Sequence, residues 1–177
     1  AASPAVSQEM IGFDLSSYGQ VVLKRQQVAG DAIPEAAFGA YNNEFISTYA
    51  PDSVFARIGR AVGRLDVTTD TGVYPCTAFL VDDDLLMTNH HCVPGILDNP
   101  RAGSSAIAGV QFVAGYVREG VAADAQTFIV NPTPVETNAD LDYTLLRVIG
   151  AQPGRDFGTL DLAATTPRDN DPYWIIG

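Results

Sequence analysis

Two cysteines bracket a hairpin pattern, and no other feature limits the fold of this chain so strongly. Cys76 opens the apolar run Cys76 to Val81, Asp82-Asp83-Asp84 reads as a turn, Leu85 to Thr88 reads as the return strand, and Cys92 stands just beyond it. An antiparallel hairpin brings its two ends together. Cysteines sixteen residues apart at those ends are therefore within bridging reach, and a bridge would stabilise the fold by roughly 3 kcal/mol in the chain-entropy view. Two buried free thiols are the other reading of the same pair. An even cysteine count in an acidic chain whose single lysine is Lys24 fits an exported protein with one disulfide. The small residues Ala1-Ala2-Ser3-Pro4-Ala5 at the start resemble the surroundings of a signal-cleavage site.

The rest of the second half repeats the strand-and-turn pattern. Ile58 to Val67 reads as a strand with close-packing glycines, and Val110 to Val113, Thr127 to Val130, Tyr143 to Ile149 and Tyr173 to Ile176 read as further strands, with Pro132, Pro134 and Gly150 between them. Many short strands separated by turn residues predict an all-β antiparallel barrel or sandwich. Phe79, Phe112 and Trp174 are candidates for its core. Ahead of it, Pro34 to Tyr49 reads as a modest helix, with Pro34 in the first turn and Glu35 beside it.

Charge separates the same two parts. Residues 1–65 hold six acids and five bases, whereas residues 66–177 hold fifteen acids and five bases, which together make the net charge of −11. A chain this acidic repels phosphate backbones and anionic headgroups, so no nucleic-acid or membrane partner is expected. The longest uncharged run, Ala102 to Val117, is 16 residues, too short and too polar to span a bilayer.

The chemistry concentrates in Thr88-Asn89-His90-His91-Cys92, which contains both histidines of the chain. Adjacent residues of an extended segment face opposite ways, so one of the two can point into a cleft. Asp142 follows His91 by fifty-one residues and opens the apolar strand Tyr143-Thr144-Leu145-Leu146. A carboxylate there wants a partner. Bonded to one imidazole nitrogen, it would fix the tautomer and leave the other nitrogen as a base. A strand-end acid in solvent is the plainer reading. A metal site from His90, His91, Cys92 and Cys76 has the wrong spacing, and Asp82-Asp83-Asp84 lacks the alternation of a calcium loop, so no metal or other cofactor is expected.

Taken together, Cys76-Thr77-Ala78-Phe79-Leu80-Val81, Leu85 to Thr88, His91-Cys92 and Asp142 to Leu146 resemble the trypsin-like serine peptidases, and most closely their bacterial, glutamyl-endopeptidase-like branch, in which a Thr-Asn-His-His block is common. The resemblance covers about residues 58–177. It implies a chymotrypsin-like antiparallel β-barrel, the first of two, with Tyr173 to Ile176 as the start of the second. It makes residues 56–177 an incomplete peptidase domain; it does not reach residues 1–55, which the charge and helix pattern mark as a partly helical N-terminal extension or propeptide. It also implies a Cys76–Cys92 disulfide, His91 as catalytic base, Asp142 as its orienting acid with Asp140 as the rival, a polypeptide substrate, and a secreted or periplasmic location.

The nucleophile of that family is missing from the sequence. The serines are Ser3, Ser7, Ser16, Ser17, Ser47, Ser53, Ser104 and Ser105, and none follows Asp142. The family carries its serine in a Gly-Asp-Ser-Gly block well after the Asp, and no such block occurs here. The expectation is therefore a serine endopeptidase truncated before its serine, inactive alone, with the C-terminal barrel as its missing partner. A non-catalytic pseudo-peptidase binding module is the alternative.

Overall fold

The computed structural model describes residues 21–24, 43–115, 125–166, 168–169 and 174–177. Strands β1 (Val21–Lys24) and β2 (Asn43–Phe45) come first, followed by a 3-10 turn at Ile46–Thr48 and helix α1 (Val54–Gly59). Then come β3 (Val62–Thr69), β4 (Val73–Leu80), β5 (Leu85–Thr88), a 3-10 turn at Gly95–Asp98, β6 (Ile107–Ala114), β7 (Gln126–Val130), β8 (Glu136–Asn138), β9 (Tyr143–Arg147), helix α2 (Pro153–Phe157) and β10 (Trp174–Ile176).

Seven strands form one antiparallel sheet in the order β7-β6-β3-β4-β5-β9-β8. Alternation drives it. In β3 the side chains of Leu65 and Val67 are fully buried while Arg64, Asp66 and Thr68 are partly exposed, and Leu86 in β5 and Leu146 in β9 repeat the pattern. With Leu80, Val110, Phe112 and Val130 they make one apolar core, the main source of stability in a chain of this size. Gly63 is required by close approach, because a Cβ there would lie 2.4 Å from the Val113 carbonyl oxygen and 2.7 Å from the Phe112 ring.

The expected closed barrel is not formed. β7 and β8 are the two ends of a linear strand order, with no ladder between them. A single bridge, Val130 to Val148, ties β7 to the residue beyond β9. Alternation in the sequence specifies an inner face, but closure depends on a tilt and stagger shared by every strand. At three residues, β8 offers β7 little to pair with.

Among the described residues the start of a second barrel is not seen either. β10 pairs with β1, with Val22 opposite Ile176 and Lys24 opposite Trp174, and β1 pairs in turn with β2 in a separate three-stranded sheet. Trp174, expected in the core, is half exposed, with its ring 5.8 Å from that of Phe55.

The expected helix over Pro34–Tyr49 is replaced at its C-terminal end by β2 and the 3-10 turn, and its residues 34–42 lie outside the described residues. Asn43 is a poor helix former, and strand pairing prevails there. Helix α1 takes Ile58 and Gly59 from the expected strand. Its start is capped by the Ser53 hydroxyl, which accepts from the Ala56 amide at 3.1 Å.

Candidate active site

The β4–β5 hairpin forms as the sequence predicts, and the cysteines at its ends are joined. Cys76 and Cys92 form a disulfide with Cα atoms 6.4 Å apart. The Asp82-Asp83-Asp84 turn at the other end is held by Arg155 on Asp83 at 2.8 Å and Arg147 on Asp84 at 2.6 Å.

After β5 the chain turns sharply. The Asn89 carbonyl accepts from the Cys92 amide at 3.2 Å, and the His90 carbonyl accepts from the Gly95 amide at 2.8 Å. Gly95 is needed here too, since a Cβ would come within 2.9 Å of His90 Cδ2. This turn sends the two histidines apart. The His90 ring meets Thr137 of β8, Nδ1 to Oγ1 at 2.8 Å, and Thr137 is in turn 2.6 Å from the buried hydroxyl of Thr144. The His91 ring meets Asp142.

β5 pairs with β9, Thr88 opposite Thr144, so the residues just after β5 and just before β9 meet at one end of the sheet. Asp142 Oδ2 is 2.8 Å from His91 Nδ1, Asp142 Oδ1 accepts from the His91 backbone amide at 2.9 Å, and Asn89 Nδ2 donates to Asp142 Oδ2 at 3.1 Å and to its carbonyl at 3.2 Å. Asp142 has a φ of +50°, a left-handed conformation that Asp tolerates better than most residues.

These bonds hold the Asp142 carboxyl below the usual carboxylate range. The His91 amide contributes most, and partial desolvation opposes it. An ionised carboxylate accepts only, so the proton between the two side chains belongs to His91 Nδ1, and in the neutral ring Nε2 is the nitrogen that carries the lone pair. Among the described residues nothing occupies Nε2, and the His91 side chain is 68% exposed. Such a ring can take a proton at Nε2 while its other edge stays bonded.

Asp140 is exposed and makes no bond to His91. Ser104 and Ser105 are engaged elsewhere: Ser104 with the hydroxyls of Thr69 at 2.9 Å and Thr71 at 2.6 Å, and Ser105 with Asp70 at 2.5 Å.

Residues 76–177 match the trypsin-like peptidase domain, which is more than half of the chain. The chain belongs to the trypsin-like peptidase domain family. Among solved structures this trypsin-like chain is similar to the thermostable serine protease AL20 from an extremophilic microorganism, at 15% identity and a TM-score of 0.49, over 68% of this chain and 66% of that one. It is also similar to protease Anisep from Arthrobacter nicotinovorans, at 17% identity and a TM-score of 0.44, over 62% of this chain and 52% of that one. The chain thus spans about two thirds of the first protease and half of the second. No curated protein matches the sequence.

Two site residues escaped the sequence reading. Asn89 lies inside the His block, but nothing in its spacing marks it as a donor to Asp142. Thr137 lies in a polar stretch without a strand signal, and only the pairing of β8 with β9 brings it to His90.

Proposed function

We propose that this chain supplies the base and the orienting acid of an exported serine endopeptidase, and that the nucleophile comes from polypeptide outside these 177 residues. The observation that carries the reading is the His91 ring held at Nδ1 by Asp142 at 2.8 Å with Nε2 open. The trypsin-like family, the disulfide next to His91 and the Asp142-Tyr143-Thr144-Leu145-Leu146 block support it. No serine follows Asp142, and the hydroxyls of Ser104 and Ser105 are bonded to other groups.

In this reading a serine hydroxyl attacks the carbonyl carbon of a peptide bond, and His91 Nε2 takes the hydroxyl proton. The same proton then goes to the leaving amine as the tetrahedral intermediate collapses. Asp142 stays ionised and stabilises the imidazolium. The oxyanion hole and the pocket that reads the substrate side chain lie with the nucleophile. A glutamyl preference therefore rests only on the Thr88-Asn89-His90-His91 block. The disulfide favours an oxidising location, secreted or periplasmic.

The test is peptide hydrolysis by a longer polypeptide that joins this chain to a Gly-Asp-Ser-Gly block. The proposal predicts turnover by that polypeptide and none by the 177-residue chain. A folded longer polypeptide that binds peptides without cleaving them would make this a binding module instead.

A further inference from the structure

The Asn89 amide makes contacts that the base-and-acid reading does not require. One NH2 group reaches two oxygens of the same residue, Asp142 Oδ2 at 3.1 Å and the Asp142 carbonyl at 3.2 Å. Both are acceptors, so the amide nitrogen and not its oxygen must face them. Asp142 presents both oxygens to this amide from a left-handed backbone, with φ at +50°. The Asn89 carbonyl meanwhile accepts from the Cys92 amide, which anchors the donor to the disulfide-linked turn.

The pair that this amide touches is open to water, with side-chain exposures of 68% for His91 and 44% for Asp142. Burial does not confine the Asp142 side chain, so hydrogen bonds must. Among the described residues, two of the three donors on its carboxylate belong to His91 itself. Asn89 is the donor independent of His91 that also fixes the main chain of Asp142.

We infer that Asn89 is a positioning residue, whose amide holds the Asp142 carboxylate in the orientation that keeps His91 Nδ1–H bonded. The inference rests on the base-and-acid reading above, and it adds a third group to that site. It distinguishes a donor from a residue that merely suits a turn, because Asp suits such a turn as well as Asn does but cannot donate when ionised.

The test is proton NMR of the 177-residue chain, reading the far-downfield signal of the His91 ring N–H. The parent gives the signal and Asp142→Asn removes it. Asn89→Ala loses it to exchange with water. Asn89→Asp loses it at neutral pH, where two carboxylates face each other, and regains it on acidification. There the introduced carboxyl, beside an anion, takes up the proton first and becomes a donor.

An Asn89→Ala or Asn89→Asp spectrum equal to the parent's at neutral pH overturns the positioning role and leaves the His91–Asp142 pair standing. An Asn89→Asp signal absent at both pH values overturns the donor role as well. Absence of the signal from the parent overturns both the pair and the inference. Restoration on acidification shows that the substituted chain is folded.

Discussion

Two aspartates in this molecule are held in nearly the same way and end in different roles. Asp70, just past β3, accepts from the Ser105 amide at 2.9 Å and the Ser105 hydroxyl at 2.5 Å. Asp142, just before β9, accepts from the His91 amide at 2.9 Å and the His91 ring at 2.8 Å. In each case one residue from a facing loop gives both its backbone and its side-chain donor to one carboxylate, and both carboxyls are held below their ordinary range. The Ser105 hydroxyl leads at Asp70, and the His91 amide leads at Asp142. What differs is the far side of the donor. A serine hydroxyl bound this way has spent its proton, and the clamp closes a loop. An imidazole bound this way has a second nitrogen on its opposite edge, and in the proposed function the same clamp makes a fixed base.

The comparison breaks most sharply on activity. In the longer, serine-bearing polypeptide, Asp142→Asn should lower kcat by about 10⁴-fold, the effect of the same change in a trypsin-type triad. Asp70→Asn should leave kcat within about threefold, as an exposed substitution away from the site does. Equal losses in a steady-state peptide assay would show that the two clamps are not functionally distinct.

The next largest effect concerns the support of the second clamp. Replacing Cys76 and Cys92 together by Ser should lower stability by about 3 kcal/mol, measured by urea unfolding. It should also weaken the His91 ring signal, since His91 precedes Cys92 directly. A stability loss with an unchanged ring signal would show that the hydrogen bonds alone define the site.

The smallest effect is on acid stability, where the two clamps should behave alike. A carboxyl whose affinity for protons is lowered by folding contributes stability that is fully present above its unfolded pKa of about 3.9. That contribution is lost as pH falls through the folded value. Asp70→Asn and Asp142→Asn should each therefore lose less stability than the parent between pH 6 and pH 3, by urea titration at both values. A variant that loses as much as the parent would show that its aspartate is not held by folding.

The site was more legible in the sequence than the architecture around it. The hairpin that ends in the Cys76–Cys92 disulfide is encoded locally by two apolar runs and a triple-Asp turn, and the contact of His91 with Asp142 was expected from the resemblance to trypsin-like serine peptidases. The other strands of the large sheet were readable from alternation and turn residues, but the short polar β8 was not.

Closure was not. Whether β7 meets β8 depends on how every strand tilts, and no local pattern encodes that. The pairing of β10 with β1 was equally hidden, because residues about 150 apart carry no shared signal until they meet. Asn89 and Thr137 were missed because their roles lie in a contact rather than in a motif.

The central claim is that His91 is a base aimed by Asp142 at a serine outside this chain. Its most direct test is labelling of the longer polypeptide by a fluorophosphonate, compared with His91→Ala. The account predicts covalent labelling at the Gly-Asp-Ser-Gly serine, reduced to background by His91→Ala. Labelling that proceeds at the same rate without the imidazole would contradict it.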